Sequence, residues 1–132
     1  MANRSYKGRT FEIWLAARLS RWWTEGARDD IFYHTHVSGA RATVRGKKGK
    51  TTHGFYGDIY AVDPIGQPLM DLVTIEVKRG YNSLSVQDLL DCPVGKKGGG
   101  AGANYPDWIA QAAAAHKAAG SYSWLLVTKR DQ

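Results

Sequence analysis

The segment 69–79, LMDLVTIEVKR, decides the fold and carries the first sign of chemistry. Its centre is rich in β-branched residues, which predicts a strand. On a strand, residues i and i+2 point to the same face about 6.6 Å apart, so Glu76 and Lys78 project together. The opposite, apolar face carries Val73, Ile75 and Val77. Two opposite charges on a strand that is otherwise apolar need an explanation, because buried charges are costly without partners.

A second strand is predicted over 57–63, GDIYAVD, and the turn PIGQP at 64–68 separates it from the first. We expect the two strands to form a hairpin in which Asp58 lies opposite residue 74 or 76. Since cross-strand partners share a face of the sheet, Asp58 and Glu76 are then side by side. In a different register, the place of Asp58 is taken by one of two other acids, Asp63 or Asp71.

The remaining pattern predicts a single α/β domain, with a mixed central β-sheet flanked by helices. Apolar residues recur at spacings of three and four across 5–24, which predicts a helix. An Ala-rich helix is predicted over 105–119, with Pro106 in its first turn and Gly120 after its end. The other predicted elements are strands at 31–37 and 122–128 and a short helix at 83–91.

The charge distribution favours an anionic partner, and nucleic acid in particular. The chain has 18 Lys+Arg against 12 Asp+Glu, a net charge of +6. Basic residues crowd into RATVRGKKGK at 41–50 and recur in GKKGGGAG at 95–102, and both stretches are typical of loops that contact a phosphate backbone. The alternative is that they are solvated surface loops. The candidate DNA contacts are Arg41, Arg45, Lys47, Lys48, Lys50, His53, Lys96 and Lys97.

The predicted neighbours Asp58 and Glu76 indicate a metal site, because two close carboxylates repel unless a cation lies between them. Carboxylate oxygens suit Mg²⁺, and the carbonyl of Val77 is a further candidate ligand. Glu12 shares a face of the first helix with small and apolar residues, so it is expected near the packed side, as another ligand. Lys78 would hold a phosphate or orient and help deprotonate a water. The alternative is a plain Glu76–Lys78 surface ion pair.

In these residues the sequence resembles the PD-(D/E)XK nuclease superfamily. The matching pieces are Glu12 in KGRTFEIWLAARL, Asp58 in YGDIYAVD, and Glu76 and Lys78 in TIEVKRG. Gly57 stands where the superfamily usually has a proline. The resemblance implies a restriction-endonuclease-like core and a Mg²⁺-dependent endonuclease, with Mn²⁺ able to substitute.

Within that superfamily the chain is most similar to small phage and archaeal Holliday junction resolvases, in size, in the opening of the first helix, and in the stretch Val37-Ser38-Gly39-Ala40. This similarity implies a homodimer that cuts branched DNA, with Ser38 among the DNA contacts. Some superfamily members carry a glutamine on a following helix. We favour Gln111 for that role, with Gln87 as the alternative.

Several other functions stay open at this point. The same pattern fits a duplex-directed restriction or repair nuclease, a catalytically silent DNA-binding module, or a nuclease acting on RNA. No nucleotide cofactor is expected, because the G-x-x-x-x-G-K-[ST] pattern is absent. His34 and His36 share a strand face but lack the companions of a zinc site. Trp14, Trp22 and Trp23 are expected in the core or at a dimer interface. Without an apolar membrane span or signal sequence, the expected location is the cytoplasm, that of the host for a phage protein, with no membrane partner.

Overall fold

The computed structural model describes residues 4–35, 56–79, 86–90 and 104–129, and confirms the α/β class. In chain order the elements are α1 (Arg4–Trp23), β1 (Phe32–His34), β2 (Ile59–Ala61), a 3₁₀ helix (Pro64–Gly66), α2 (Gln67–Leu72), β3 (Val73–Arg79), α3 (Val86–Leu90), α4 (Asn104–Ala119) and β4 (Ser123–Lys129). Within these described ranges, no helix is both long enough and apolar enough to cross a membrane.

The strands form two small sheets, where the sequence predicted one mixed sheet. β1 and β2 are antiparallel, and His34 lies opposite Ile59. β3 and β4 are parallel, as expected for strands joined by a crossover helix, and Glu76 lies opposite Leu126. The two sheets meet where the N–H of Asp58 donates to the carbonyl of Ile75 over 2.8 Å.

The predicted hairpin of 57–63 and 69–79 is wrong, because the chain between β2 and β3 is helical. Asp63 caps this segment through a hydrogen bond from the N–H of Ile65 to its Oδ1, 3.0 Å long. Pro64 and Pro68 then occupy the first turns of the 3₁₀ helix and of α2, where a missing N–H costs nothing. The turn residues of PIGQP therefore start helices, and the strand begins at Val73, four residues later than predicted.

Most other predicted boundaries are confirmed to within a residue or two. α1, α4 and β4 match the predictions over 5–24, 105–119 and 122–128. Gly120 ends α4 with a φ of +74°, and its N–H donates to the carbonyl of His116. β1 and β2 are shorter than predicted, three residues each, and α3 lies inside the predicted 83–91.

The main core lies between α1 and the strands. Its buried members are Phe11, Ala16, Ile31, Phe32, Ile59, Leu69, Met70, Ile75 and Val77. A smaller cluster joins Tyr105 and Trp108 of α4 to Leu126. Because Leu126 pairs with Glu76, the polar face of β3 is the one that α4 covers, and the apolar residues predicted on the opposite face of β3 pack toward α1.

Ser20 ties α1 to the start of β1. Its fully buried hydroxyl donates to the carbonyl of Ala16 at 2.8 Å and accepts from the N–H groups of Ile31 and Phe32 at 3.1 and 2.9 Å. Buried polar groups of this kind need partners, and here all of them are satisfied. The bonds fix α1 against β1 and so bring Glu12 next to His34.

Candidate active site

Asp58 is held against β3 by both its main chain and its side chain. Its N–H donates to the carbonyl of Ile75, and its Oδ2 accepts from the N–H of Val77 at 2.7 Å. Gly57, just before it, has a φ of +80°, and a Cβ there would lie 2.7 Å from the Ile75 carbonyl oxygen. Proline fixes φ near −65°, so the glycine is required by this close approach to β3. The sequence prediction that Asp58 stands beside Glu76 holds, although no hairpin brings it about.

Asp58 and Glu76 form a buried pair of carboxyl groups, 8% and 4% exposed. Burial, and then the charge of Asp58, raise the pKa of Glu76 to about 8. Burial also raises the pKa of Asp58, while the hydrogen bond from Val77 N–H opposes that shift. The raised pKa favours the protonated form of Glu76 next to Asp58. The second Glu76 oxygen, Oε2, is buried and has no hydrogen-bond partner among the described residues.

Glu12 is the third acid of the site and comes from α1. Burial, followed by the charge of Asp58, raises its pKa to about 7, and the nearby cations Lys78 and Arg9 oppose the rise. Its Oε2 lies 3.6 Å from Nδ1 of His34, a side chain only 2% exposed. The structure thus confirms that Glu12 faces the packed side of α1.

His34 is the residue that sequence reasoning did not assign to this site. Its position on a strand of aromatic and β-branched residues is a signal of burial, but the sequence pattern pairs it only with His36, as a candidate zinc ligand. His36 lies outside the described residues. What the sequence could not supply was the packing of β1 on α1, which makes His34 a neighbour of Glu12.

Lys78 meets Gln111 at the open side of the site. The Lys78 Nζ donates to the Gln111 Oε1 at 2.9 Å. The positive charge of Lys78 opposes the rise in the pKa values of Glu12, Asp58 and Glu76, so the ammonium group lies near all three acids. Gln111 on α4, the favoured one of the two candidate glutamines, thus contacts the predicted constellation through Lys78.

These residues have the chemistry of a divalent-metal site. Burial, and then the charge of Asp58, raise the pKa values of Glu12 and Glu76, so these carboxyl groups need either protons or a cation. Carboxylate oxygens are the hard ligands that Mg²⁺ prefers. The unpaired Glu76 Oε2 is a buried acceptor that a cation would satisfy. Within the described part of the chain, however, no group of three or more His, Cys, Asp and Glu side chains is arranged so that it could hold a metal ion, and a metal at this site stays a prediction. Val77 contributes its N–H to Asp58, and its carbonyl as a ligand stays a prediction.

The two alternative acids have other partners. Asp63 accepts from Nη1 of Arg28 at 2.8 Å, and Asp71 accepts from Nε2 of Gln67 at 2.9 Å. The predicted DNA contacts lie outside the described residues; they are Ser38, Arg41, Arg45, Lys47, Lys48, Lys50, His53, Lys96 and Lys97.

No family model, curated protein or solved structure matches this chain. The functional assignment therefore depends on the geometry of the five residues that the structure brings together, Glu12, Asp58, Glu76, Lys78 and Gln111.

Proposed function

We propose that this protein is a Mg²⁺-dependent DNA endonuclease that hydrolyses phosphodiester bonds. The observation that carries the proposal is the buried Asp58–Glu76 pair with Glu12 and Lys78 next to it. A cluster of three acids, two of them buried, beside one lysine is costly to maintain, and such clusters of perturbed pKa values concentrate at functional sites. A surface ion pair between Glu76 and Lys78 would leave the burial of Glu76 unexplained, because that side chain is 4% exposed.

We also propose that the fold is a restriction-endonuclease-like core of the PD-(D/E)XK type. Three features support this assignment. A first helix carries Glu12, an acidic residue precedes the strand, and that strand carries Glu-x-Lys on the face covered by a later helix. In this core, Asp58 and Glu76 would hold the metal, with Glu12 as a further ligand.

Each residue then has a distinct task in hydrolysis. When bound, Mg²⁺ would neutralise the phosphate and lower the pKa of a coordinated water. Lys78 would hold the phosphate oxygen or orient the attacking water, and Gln111 keeps the ammonium of Lys78 in place through its 2.9 Å hydrogen bond. Because its pKa is raised, Glu76 would have to give up its proton before its carboxylate could hold a cation together with Asp58.

The test is cleavage of a labelled four-way junction, a matched linear duplex and a single strand, with Mg²⁺ and with EDTA. Wild type is compared with Lys78→Ala, and Lys117→Ala on the exposed end of α4 is the matched control. We expect metal-dependent cleavage that Lys78→Ala abolishes and Lys117→Ala preserves. DNA binding in EDTA should survive in all three proteins.

The substrate panel also separates the finer alternatives. Paired cuts in the junction alone would support a resolvase acting as a homodimer. Equal cutting of junction and duplex would favour a restriction or repair nuclease. Binding without cleavage of any substrate would overturn the nuclease proposal and leave a DNA-binding module.

A further inference from the structure

One side of α1 carries an exposed stripe of aromatic and basic side chains that the proposed chemistry does not use. Trp14 is 51% exposed and Trp22 is 66% exposed, with the exposed Arg18 between them. Residues i, i+4 and i+8 lie on the same side of a helix, and at 1.5 Å per residue the stripe is about 12 Å long. Large aromatic side chains in contact with water indicate a surface that another molecule covers.

The indole of Trp14 stacks on a buried ring and has two cations beside it. It stacks on the buried Phe11 ring, with centroids 5.8 Å apart and an angle of 22° between the planes. Arg18 Cζ lies 5.1 Å from the Trp14 ring centroid, and Nζ of Lys129 from β4 lies 5.8 Å from it. The stripe is therefore a fixed aromatic surface with positive charge at its border.

Lys129 connects the stripe to β3. It lies opposite Arg79, the residue after Lys78, and paired strands are about 4.8 Å apart. Because successive residues of a strand point to opposite faces, Lys129 and Arg79 lie on the face toward α1, whereas Lys78 lies on the face that α4 covers. Glu12 and Trp14 are likewise about 200° apart around α1, so the stripe is a surface separate from the acids.

The charge around the stripe selects the kind of partner. Over its whole length α1 contains five basic residues and one acid, Glu12, and one of the basic residues, Arg21, pairs with Asp29 at 3.6 Å. Across the residues that the structure describes, no carboxylate forms an ion pair with Arg18 or Lys129. A second copy of α1 would place like charges against one another, which disfavours this surface as a dimer interface. A polyanion that also offers flat aromatic groups satisfies both features, and nucleic acid with exposed bases is such a partner.

We propose that Trp14, Arg18 and Trp22, together with Lys129, form a stacking surface for unpaired nucleotides of the DNA substrate. The choice of DNA rests on the proposed nuclease function. Bases stack on the two indoles while Arg18 and Lys129 pair with the phosphates between them. Bases inside a duplex are already stacked and cannot reach the indoles, so the surface directs the enzyme to DNA with a single-stranded portion.

The test measures DNA binding by fluorescence anisotropy in EDTA, where no metal-dependent cleavage takes place. The probes are a labelled oligothymidylate and a blunt duplex, and the variants are Trp14→Ala, Trp22→Ala and Trp14→Phe. Tyr122→Ala is the control. Tyr122 is 84% exposed, but it lies just before the first residue of β4, whereas Lys129 is the last residue of that strand. Each Trp→Ala change should weaken oligothymidylate binding at least about fivefold, since stacking contributes about 1–3 kcal/mol per base. Trp14→Phe and Tyr122→Ala should retain most of the affinity.

Wild-type affinity for oligothymidylate in both Trp→Ala variants would overturn the proposal. An equal loss of oligothymidylate affinity in Tyr122→Ala would also overturn it, since any exposed aromatic side chain would then contribute to binding, whatever its position. Dissociation of a wild-type dimer by Trp22→Ala, with DNA binding intact, would assign the surface to dimerisation instead. Failure here is distinguishable from failure of the nuclease proposal, because binding is measured without metal and cleavage is measured separately with it.

Discussion

Replacing Glu76 by glutamine should stabilise the metal-free protein at alkaline pH. Burial and the charge of Asp58 raise the pKa of Glu76 from 4.5 to about 8, so folding favours the protonated acid. A group with a raised pKa contributes its full stability below the unfolded value, and that contribution is lost as pH rises through the folded value. The free energy of unfolding of the wild type should therefore fall between about pH 4.5 and about pH 8. Glu12, whose pKa rises to about 7, acts in the same direction.

The size of the effect follows from the same shift. A shift of one pKa unit corresponds to about 1.4 kcal/mol. The rise of the Glu76 pKa from 4.5 to about 8 therefore sets an upper bound of about 5 kcal/mol on the free-energy cost of charging Glu76 in the folded protein. Glutamine keeps the shape and can donate to Asp58, but it never carries the charge. We expect Glu76→Gln to exceed the wild type by at least about 2 kcal/mol near pH 9 and to match it near pH 5.

The assay is urea unfolding in EDTA at several pH values, with Glu25→Gln on the exposed turn after α1 as the control. Adding Mg²⁺ at high pH should restore the stability of the wild type and leave Glu76→Gln unchanged, because a bound cation stabilises only the site that retains its carboxylates. A wild-type stability that stays level or rises over this pH range, with no gain in Glu76→Gln, would refute the reasoning.

Three further substitutions test how the site is supported. Gln111→Ala should slow Mg²⁺-dependent cleavage about tenfold or more by releasing Lys78, whereas Gln87→Ala should have no effect; equal rates in the two variants would contradict the assigned role. Ser20→Ala should lower the free energy of unfolding by about 2 kcal/mol or more in urea melts, because two buried N–H groups lose their acceptor. Gly57→Ala should cost about 2 kcal/mol or more and reduce cleavage, since a Cβ meets backbone at 2.7 Å; an unchanged melt would show that the turn tolerates a side chain.

The chemistry-bearing residues could be predicted because their signals are local. Alternating charge on an apolar strand identified Glu76 and Lys78, and helical spacing placed Glu12 on the packed side of α1. The helical connection between β2 and β3 could not be predicted, because proline and glycine at 64–68 are equally compatible with a hairpin turn and with two helix starts. The structure has the side-chain cap by Asp63 at the first of these starts, and the same carboxylate also accepts from Arg28, a tertiary contact that no local pattern reveals.

The pairing of the strands lay beyond local patterns for the same reason. β3 pairs with β4, which begins 44 residues after Arg79, and only long-range packing selects that partner. His34 entered the site through the contact of β1 with α1, which is likewise a property of the assembled core. Asp58 nevertheless reached Glu76, because the glycine before it allows close approach to β3 by a different route.

The most direct test of the central claim is single-turnover cleavage by Asp58→Asn with saturating Mg²⁺. Asparagine preserves an acceptor for the Val77 N–H, so the fold should be retained while one charge of the proposed metal site is removed. We predict that the cleavage rate falls at least about 100-fold with DNA binding in EDTA unchanged. Cleavage at the wild-type rate by a correctly folded Asp58→Asn protein would contradict the assignment of this cluster as a metal-dependent nuclease site.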